Sequence, residues 1–302
     1  MTSTSKRASD ASEPVGGAER RALVIRIGAL GDVLLTRRLT YSLSLAGFRS
    51  TLLAPGRHAT LLLADPWIDA VLDSESPRFA GAFAGSWPKE AGFDVAVLIS
   101  NSRDLEKAAE IAAGKVIRLS PEPGRDDMPI ARQWADAARA VCAPFTGALP
   151  LLETTAREAI TMGATLIHPG SGSRAKNWPL ERFTELGRRL EGLGHRVAWI
   201  RGPAEADLPA GIPPDRVIDR PSLRALAATL ARSKVFIGND SGVSHLAGAT
   251  GAPTLVLFGP TRASVWTPDG PRVHVVPARR GRLASIQVED VVTAADTVAR
   301  LG

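Results

Sequence analysis

The chain has 302 residues, 44% hydrophobic and 23% charged, with a net charge of +6, a profile of a folded globular protein long enough for two domains. A single cysteine, Cys142, excludes an internal disulfide and a Cys-rich metal centre, and no apolar run reaches the roughly 18 residues that a membrane-spanning helix needs. Residues 1–150 carry 18 basic and 17 acidic side chains against 19 and 14 in residues 151–302, so the positive excess lies in the second half. No aromatic-interleaved basic stripe accompanies it, which sets nucleic acid aside in favour of a phosphorylated small molecule or an anionic lipid surface.

Residues 1–20 are rich in Ser, Ala, Glu and Gly and read as a disordered tail rather than a signal peptide, which points to the cytoplasm. The apolar run Ala22-Leu23-Val24-Ile25-Arg26-Ile27 predicts a strand that ends at Gly28-Ala29-Leu30-Gly31-Asp32 and passes into an amphipathic helix to Ala46. Strands at 51–54, 68–72, 93–99 and 116–119 follow, with helical stretches between them and a helix over 127–141. Ala143 to Pro150, with two prolines and a glycine, reads as the linker. Beyond it the pattern repeats. Strands are expected at 164–167, 197–200, 216–218, 235–237 and 254–258, and helices at 179–191, 222–231, 243–249 and 289–300. Strands alternating with helices imply parallel sheets covered on both faces. The expected division is a tail over 1–20, a first α/β domain over 21–150 and a second over 151–302, with a cleft between their strand C-termini.

Three strand-end loops carry the chemistry. The first, Gly28 to Asp32, lacks the Gly-x-Gly-x-x-Gly spacing of a dinucleotide fingerprint and the lysine of a P-loop. Asp32 reads both as an acid in the first turn of a helix and as a cleft-facing carboxylate able to take a proton; the two are compatible. The second loop runs from His168-Pro169-Gly170 through Ser171, Ser173, Arg174 and Lys176 to Trp178-Pro179. Glycines admit close approach of a ligand, hydroxyls and amides suit phosphate oxygens, and Lys176 supplies a point charge. With six lysines against 31 arginines in the chain, a lysine inside a Gly/Ser loop is not background. The third loop, Gly238-Asn239-Asp240-Ser241-Gly242, follows a strand and opens an alanine-rich helix carrying His245, an arrangement suited to a diphosphate bearing a sugar. A histidine in such a helix is more often a packed core residue, but one turn after Asp240-Ser241-Gly242 it faces any anion held there. Glu205, after another strand, is a weaker candidate for ribose hydroxyls. The scattered histidines give no metal-ligand spacing. Arg279, Arg280 and Arg282 form a basic cluster that reads as a solvated loop or a contact with anionic lipid.

In this order the loops resemble those of the ADP-heptose:lipopolysaccharide heptosyltransferases, glycosyltransferase family 9. The resemblance rests on Val24 through Thr36, His168-Pro169-Gly170 with Lys176-Asn177-Trp178-Pro179, Gly238 through Ala247, and Pro253 through Thr261. It implies a GT-B fold of two facing Rossmann-like domains, acceptor side first and nucleotide-sugar side second, and inverting transfer without metal or other cofactor. Carried over residue by residue, it makes Asp32 the general base, Lys176 the diphosphate contact, Asp240, Ser241, Gly242 and His245 the donor pocket and Glu205 the ribose contact, with Gly28 and Gly31 shaping the acceptor-side loop. The implied partners are an ADP-sugar, with heptose favoured, and a lipopolysaccharide-core or other glycan acceptor at the inner membrane. A GT-B epimerase or hydrolase, and a non-catalytic nucleotide-sugar-binding module, remain the alternatives.

Overall fold

The computed structural model describes residues 19–88, 92–202, 208 and 211–301. The first unit opens with β1 (Arg20–Ile25), α1 (Leu30–Leu35), α2 (Arg37–Leu45), β2 (Phe48–Ala54), α3 (Gly56–Ala59) and β3 (Ile68–Asp73), and continues through β4 (Val95–Ile99), α4 (Arg103–Ala112), β5 (Val116–Leu119) and α5 (Ile130–Ala137). The second comprises β6 (Thr165–His168), α6 (Leu180–Gly192), β7 (Val197–Arg201), β8 (Val217–Asp219), α7 (Leu223–Leu230) and β9 (Val235–Asn239). It ends with α8 (Gly242–Ala249), β10 (Thr254–Phe258), α9 (Ala263–Trp266), β11 (Val273–Pro277) and α10 (Val288–Leu301).

Both sheets are parallel, with strand orders β3-β2-β1-β4-β5 and β11-β10-β9-β6-β7-β8. Read from β8, the second order repeats the first and adds one edge strand, so the chain winds the same topology twice. The central strands are buried on both faces, which is why they read as continuous apolar runs. Leu23, Ile25, Ala96 and Leu98 pack with α4, Phe79 and Trp87. Ala22, Val24, Val97 and Ile99 face the other way, towards α1, α2 and α5, in a core that continues without a break into Leu166, Phe236, Leu226 and Leu246 of the second unit. The outer face of the second sheet closes under α6 and α10.

Two expectations change in detail. The helix expected to run unbroken to Ala46 is interrupted at Thr36, whose hydroxyl bonds back to the Val33 carbonyl at 2.7 Å. The edge strand β11 was not anticipated, because Val273-His274-Val275-Val276-Pro277 mixes a histidine and a proline into a short run and only β10 pairs with it.

The 143–150 segment is held by two buried arginines of α2. Arg38 donates to Phe145 O and Gly147 O at 2.9 and 3.0 Å and grips Asp269 of the second unit with two bonds of 2.7 and 2.8 Å. Arg37 pairs with buried Asp65 through two bonds of 2.7 Å and reaches Pro150 O at 2.9 Å. Among the described residues no helix is long and apolar enough to cross a membrane.

Candidate active site

A doubly wound sheet binds ligands where its strand order reverses, because neighbouring loops diverge there and leave a crevice. The reversals fall between β1 and β4 in one sheet and between β6 and β9 in the other. The loops leaving β1, β6 and β9 are the three singled out from the sequence. Two cavities open among them. One of about 390 Å³ is lined by Ile200, Leu223, Leu226 and Val243, with His58 and His168. Its neighbour, of about 320 Å³, carries charged groups, with Asp32, Lys176, Asp240, His245 and Thr261 on its walls. Ala29, Gly172, Ser241 and Gly242 line both, so they form one cleft with an apolar and a charged end.

The carboxylate of Asp32 is fixed from several sides. It sits in the first turn of α1, reaching back to the Ala29 amide at 3.0 Å through Oδ2, while Oδ1 accepts from Arg26 Nη2 at 2.5 Å. A Cβ at Gly28 would lie 2.7 Å from Oδ2, so glycine there makes room for the folded-back carboxylate. The side chain keeps 28% of its surface exposed, towards the charged cavity.

Across the cleft, Asp240 is almost buried, and two donors converge on its Oδ2: Lys176 Nζ at 2.9 Å and Thr261 Oγ1 at 2.7 Å. Asn239 locks the loop bearing Lys176 against the loop bearing Asp240. Its Oδ1 accepts from Trp178 N at 3.0 Å and its Nδ2 donates to Pro169 O at 2.7 Å. Ser241 caps α8 by accepting from Ser244 N, and the amides of Gly242 and Val243 in its first turn have no backbone acceptor. The positive end of that helix therefore opens into the junction of the two cavities. His245, one turn further in, is held below its ordinary pKa by burial; Asp240 and Asp32 oppose the shift and Lys176 adds to it. It is a neutral imidazole at neutral pH.

Gly31 and Gly242 are where the helices α1 and α8 of the two units touch. A Cβ on Gly242 would stand 2.9 Å from Leu30 Cβ and 3.1 Å from Gly31 N, and one on Gly31 would stand 3.1 Å from His245 Cδ2. These glycines let α1 and α8 meet backbone to backbone at the cleft floor.

Asp32, Gly31, Lys176, Asp240, Ser241, Gly242 and His245 thus share one cavity wall. Ser171 lines the apolar cavity, but its hydroxyl sits 2.6 Å from Asn177 Oδ1 and 2.7 Å from Ser173 O, which commits it to loop structure. Ser173 is exposed and lines neither cavity. Glu205 lies outside the described residues; Gly202, the last described residue before it, lines the apolar cavity. Sequence reasoning passed over Arg26, Arg57, His58, Arg220 and Trp266. Arg26 had a signal, a charge at the end of a buried strand. Arg57, His58, Arg220 and Trp266 had none, since only folding brings them to the cleft.

The family model for glycosyltransferase family 9 (heptosyltransferase) matches residues 133–294. The lipopolysaccharide heptosyltransferase 1 of Pseudomonas aeruginosa is 38% identical over 92 residues, a stretch covering 28% of this chain and 26% of that protein. The match thus spans about a quarter of the curated relative's length. The glycosyltransferase family 9 structure from Veillonella parvula superposes with a TM-score of 0.77 at 19% identity, over 94% of this chain and 98% of that one. The Escherichia coli heptosyltransferase with ADP does so with a TM-score of 0.70 at 16% identity, over 92% and 99%. The two facing sheets therefore form a GT-B fold. With more than half of its length matched by the family model, the chain belongs to glycosyltransferase family 9.

Proposed function

We propose that the protein transfers heptose from ADP-heptose to a lipopolysaccharide-core acceptor, with inversion at the anomeric carbon and without a metal. The observation that carries this reading is a carboxylate from one unit, Asp32, facing a Lys176–Asp240 pair and a helix N-terminus from the other across a single cavity. The adenine fills the apolar cavity between Ile200, Leu223 and Leu226. The diphosphate lies over the Gly242 and Val243 amides with Lys176 beside it, and the sugar projects towards Asp32. The family resemblance assigns the ribose to Glu205, which lies outside the described residues.

In this mechanism Asp32 takes the proton of an acceptor hydroxyl, whose oxygen attacks the anomeric carbon from the side opposite the diphosphate. The bond from that carbon to the diphosphate oxygen breaks, and its electron pair leaves with ADP. Lys176 and the α8 amides stabilise the charge gathering on the leaving group; removing one such donor typically costs ~3–4 kcal/mol of transition-state stabilisation. Asp240, anchored through Oδ2, holds sugar hydroxyls, and neutral His245 offers a hydrogen bond without adding charge. Arg279, Arg280 and Arg282, exposed on a turn that packs against Gly259 and Pro260 beside the cleft, face anionic headgroups at the cytoplasmic side of the membrane where the acceptor resides.

The test is calorimetric titration with ADP, UDP and NAD, followed by ADP release from ADP-heptose with a lipopolysaccharide-core acceptor. ADP is expected to bind in preference to the others, Lys176→Ala to weaken it, and Asp32→Ala to abolish turnover while leaving ADP binding intact. Preference for UDP refutes the donor assignment, and wild-type turnover by Asp32→Ala refutes the base.

A further inference from the structure

The Asp32 carboxylate is backed by a largely buried arginine, Arg26. Arg26 follows β1, and its main chain extends the ladder by donating to Leu53 O at 3.1 Å. Its side chain is 11% exposed, yet it carries a permanent charge. The only carboxylate it meets among the described residues is Asp32, at 2.5 Å from Nη2. Nη1 makes a long 3.5 Å contact with Ile99 O, and Nε is buried without a hydrogen-bond partner. On its other side the guanidinium lies 5.3 Å from the ring centroid of Trp134, whose own Nε1 is tied to Ser120 O at 2.8 Å. A buried charge with an unsatisfied donor is costly, and a fold retains one where it holds something in place.

We infer that Arg26 is the positioning residue for Asp32. Braced by Trp134, it fixes one carboxylate oxygen so that the carboxylate stays turned to the Ala29 amide and presents its free face to the acceptor hydroxyl. The inference rests on the reading of Asp32 as the base. A single-point contact, rather than a fork, joins the two side chains. Lysine therefore retains the function where it would fail at a bidentate site.

The experiment compares Arg26→Met and Arg26→Lys with wild type and with Asp32→Ala, using ADP release from ADP-heptose with a lipopolysaccharide-core acceptor, and ADP binding by calorimetry. Arg26→Met is expected to lower kcat about 100-fold, the scale of a disabled general base, with donor KM and ADP affinity unchanged. Arg26→Lys is expected to return to within about tenfold of wild type. A kcat for Arg26→Met equal to wild type, while Asp32→Ala is inactive, overturns the positioning role and leaves the base standing. Turnover by Asp32→Ala overturns the base reading itself. Equal losses in both Arg26 variants together with lost ADP binding mark a general packing role and also overturn the inference. Should Arg26→Met not fold, Arg26→Gln, which keeps a donor and drops the charge, carries the same comparison. The crystal structure of the variant gives a readout independent of any acceptor. Release of the Asp32 carboxylate from the Ala29 amide supports the inference, and retention of that contact overturns it.

Discussion

Substituting alanine at Gly242 tests whether the contact between α1 and α8 sets the catalytic alignment. The added Cβ would lie 2.9 Å from Leu30 Cβ, 3.1 Å from Gly31 N and 3.4 Å from Leu30 Cγ. Non-bonded carbons are at ease near ~3.5–4.0 Å, and two of these neighbours are backbone or adjacent to it. The helices must therefore separate by roughly 0.6–1 Å. Overpacking of this kind costs about 1–3 kcal/mol, and alanine's higher helix propensity returns up to ~1 kcal/mol. The net loss is about 0–3 kcal/mol, a fall in Tm of at most about 12 °C at ~2–4 °C per kcal/mol. Catalysis is more sensitive. Asp32 rides on α1 and the Asp240–Gly242 loop leads into α8, and in the proposed mechanism a misplacement near 1 Å costs about 100-fold. Gly242→Ala should therefore fold and melt no more than about 12 °C below wild type, bind ADP through its retained amide, and lose kcat by about 10- to 100-fold. Thermal melting, ADP titration and ADP release from ADP-heptose measure the three quantities. Gly192→Ala, on α6 with nothing within 4 Å of the new Cβ, is the control expected to keep full kcat. A Gly242→Ala protein with wild-type kcat would refute the claim that this contact aligns the two halves.

Two further predictions concern stability. Asp65→Ala leaves the Arg37 guanidinium, 3% exposed, with the Pro150 carbonyl as its remaining hydrogen-bond acceptor and the Trp67 ring beside it, and breaking a buried pair from one side costs about 3–5 kcal/mol. Urea denaturation should show that loss, with most of it recovered in the double variant Arg37→Met/Asp65→Leu; a loss below ~1 kcal/mol contradicts the assignment. Burial is the leading cause that holds His58, His195 and His245 below the ordinary value of 6.5; Lys234 adds to it at His195, where Asp296 opposes. The unfolded chain therefore binds protons before the folded one does, so stability is full above pH 6.5 and falls as pH drops through and below it. Tm measured against pH should show this slope, reduced in His195→Gln; an unchanged slope in that variant removes His195 from the account.

What was legible in the sequence was what short-range pattern encodes. Val235-Phe236-Ile237 reads as a buried strand because its neighbours on both faces are apolar. The Gly238–Gly242 loop reads as a helix start because small polar residues precede an alanine-rich run. Asp32 was open to two readings, helix-terminal acid and cleft carboxylate, and the fold gives it both positions at once. Ser171 and Ser173 illustrate the opposite case. A hydroxyl in a glycine loop looks free to meet phosphate, but Ser171 bonds to Asn177 and Ser173 is exposed away from both cavity linings.

The features that escaped detection depend on partners far away in the chain. Arg38 sits in a helix whose sequence looks like any amphipathic surface helix, and arginine there would ordinarily be solvated. It is 2% exposed because Asp269, 231 residues later, and the carbonyls of Phe145 and Gly147 satisfy its donors. Local pattern carries no trace of such a partner, since the pairing exists only after both sheets have formed and faced each other. The same holds for Gly31 and Gly242, which local rules assign to backbone freedom or to phosphate approach. Neither has a left-handed φ; each is glycine because the other unit's helix lies against it. In a chain of two similar halves facing each other across a cleft, the residues that set the distance between the halves are thus the least visible in either half alone. The substitution at Gly242 probes that class of residue directly.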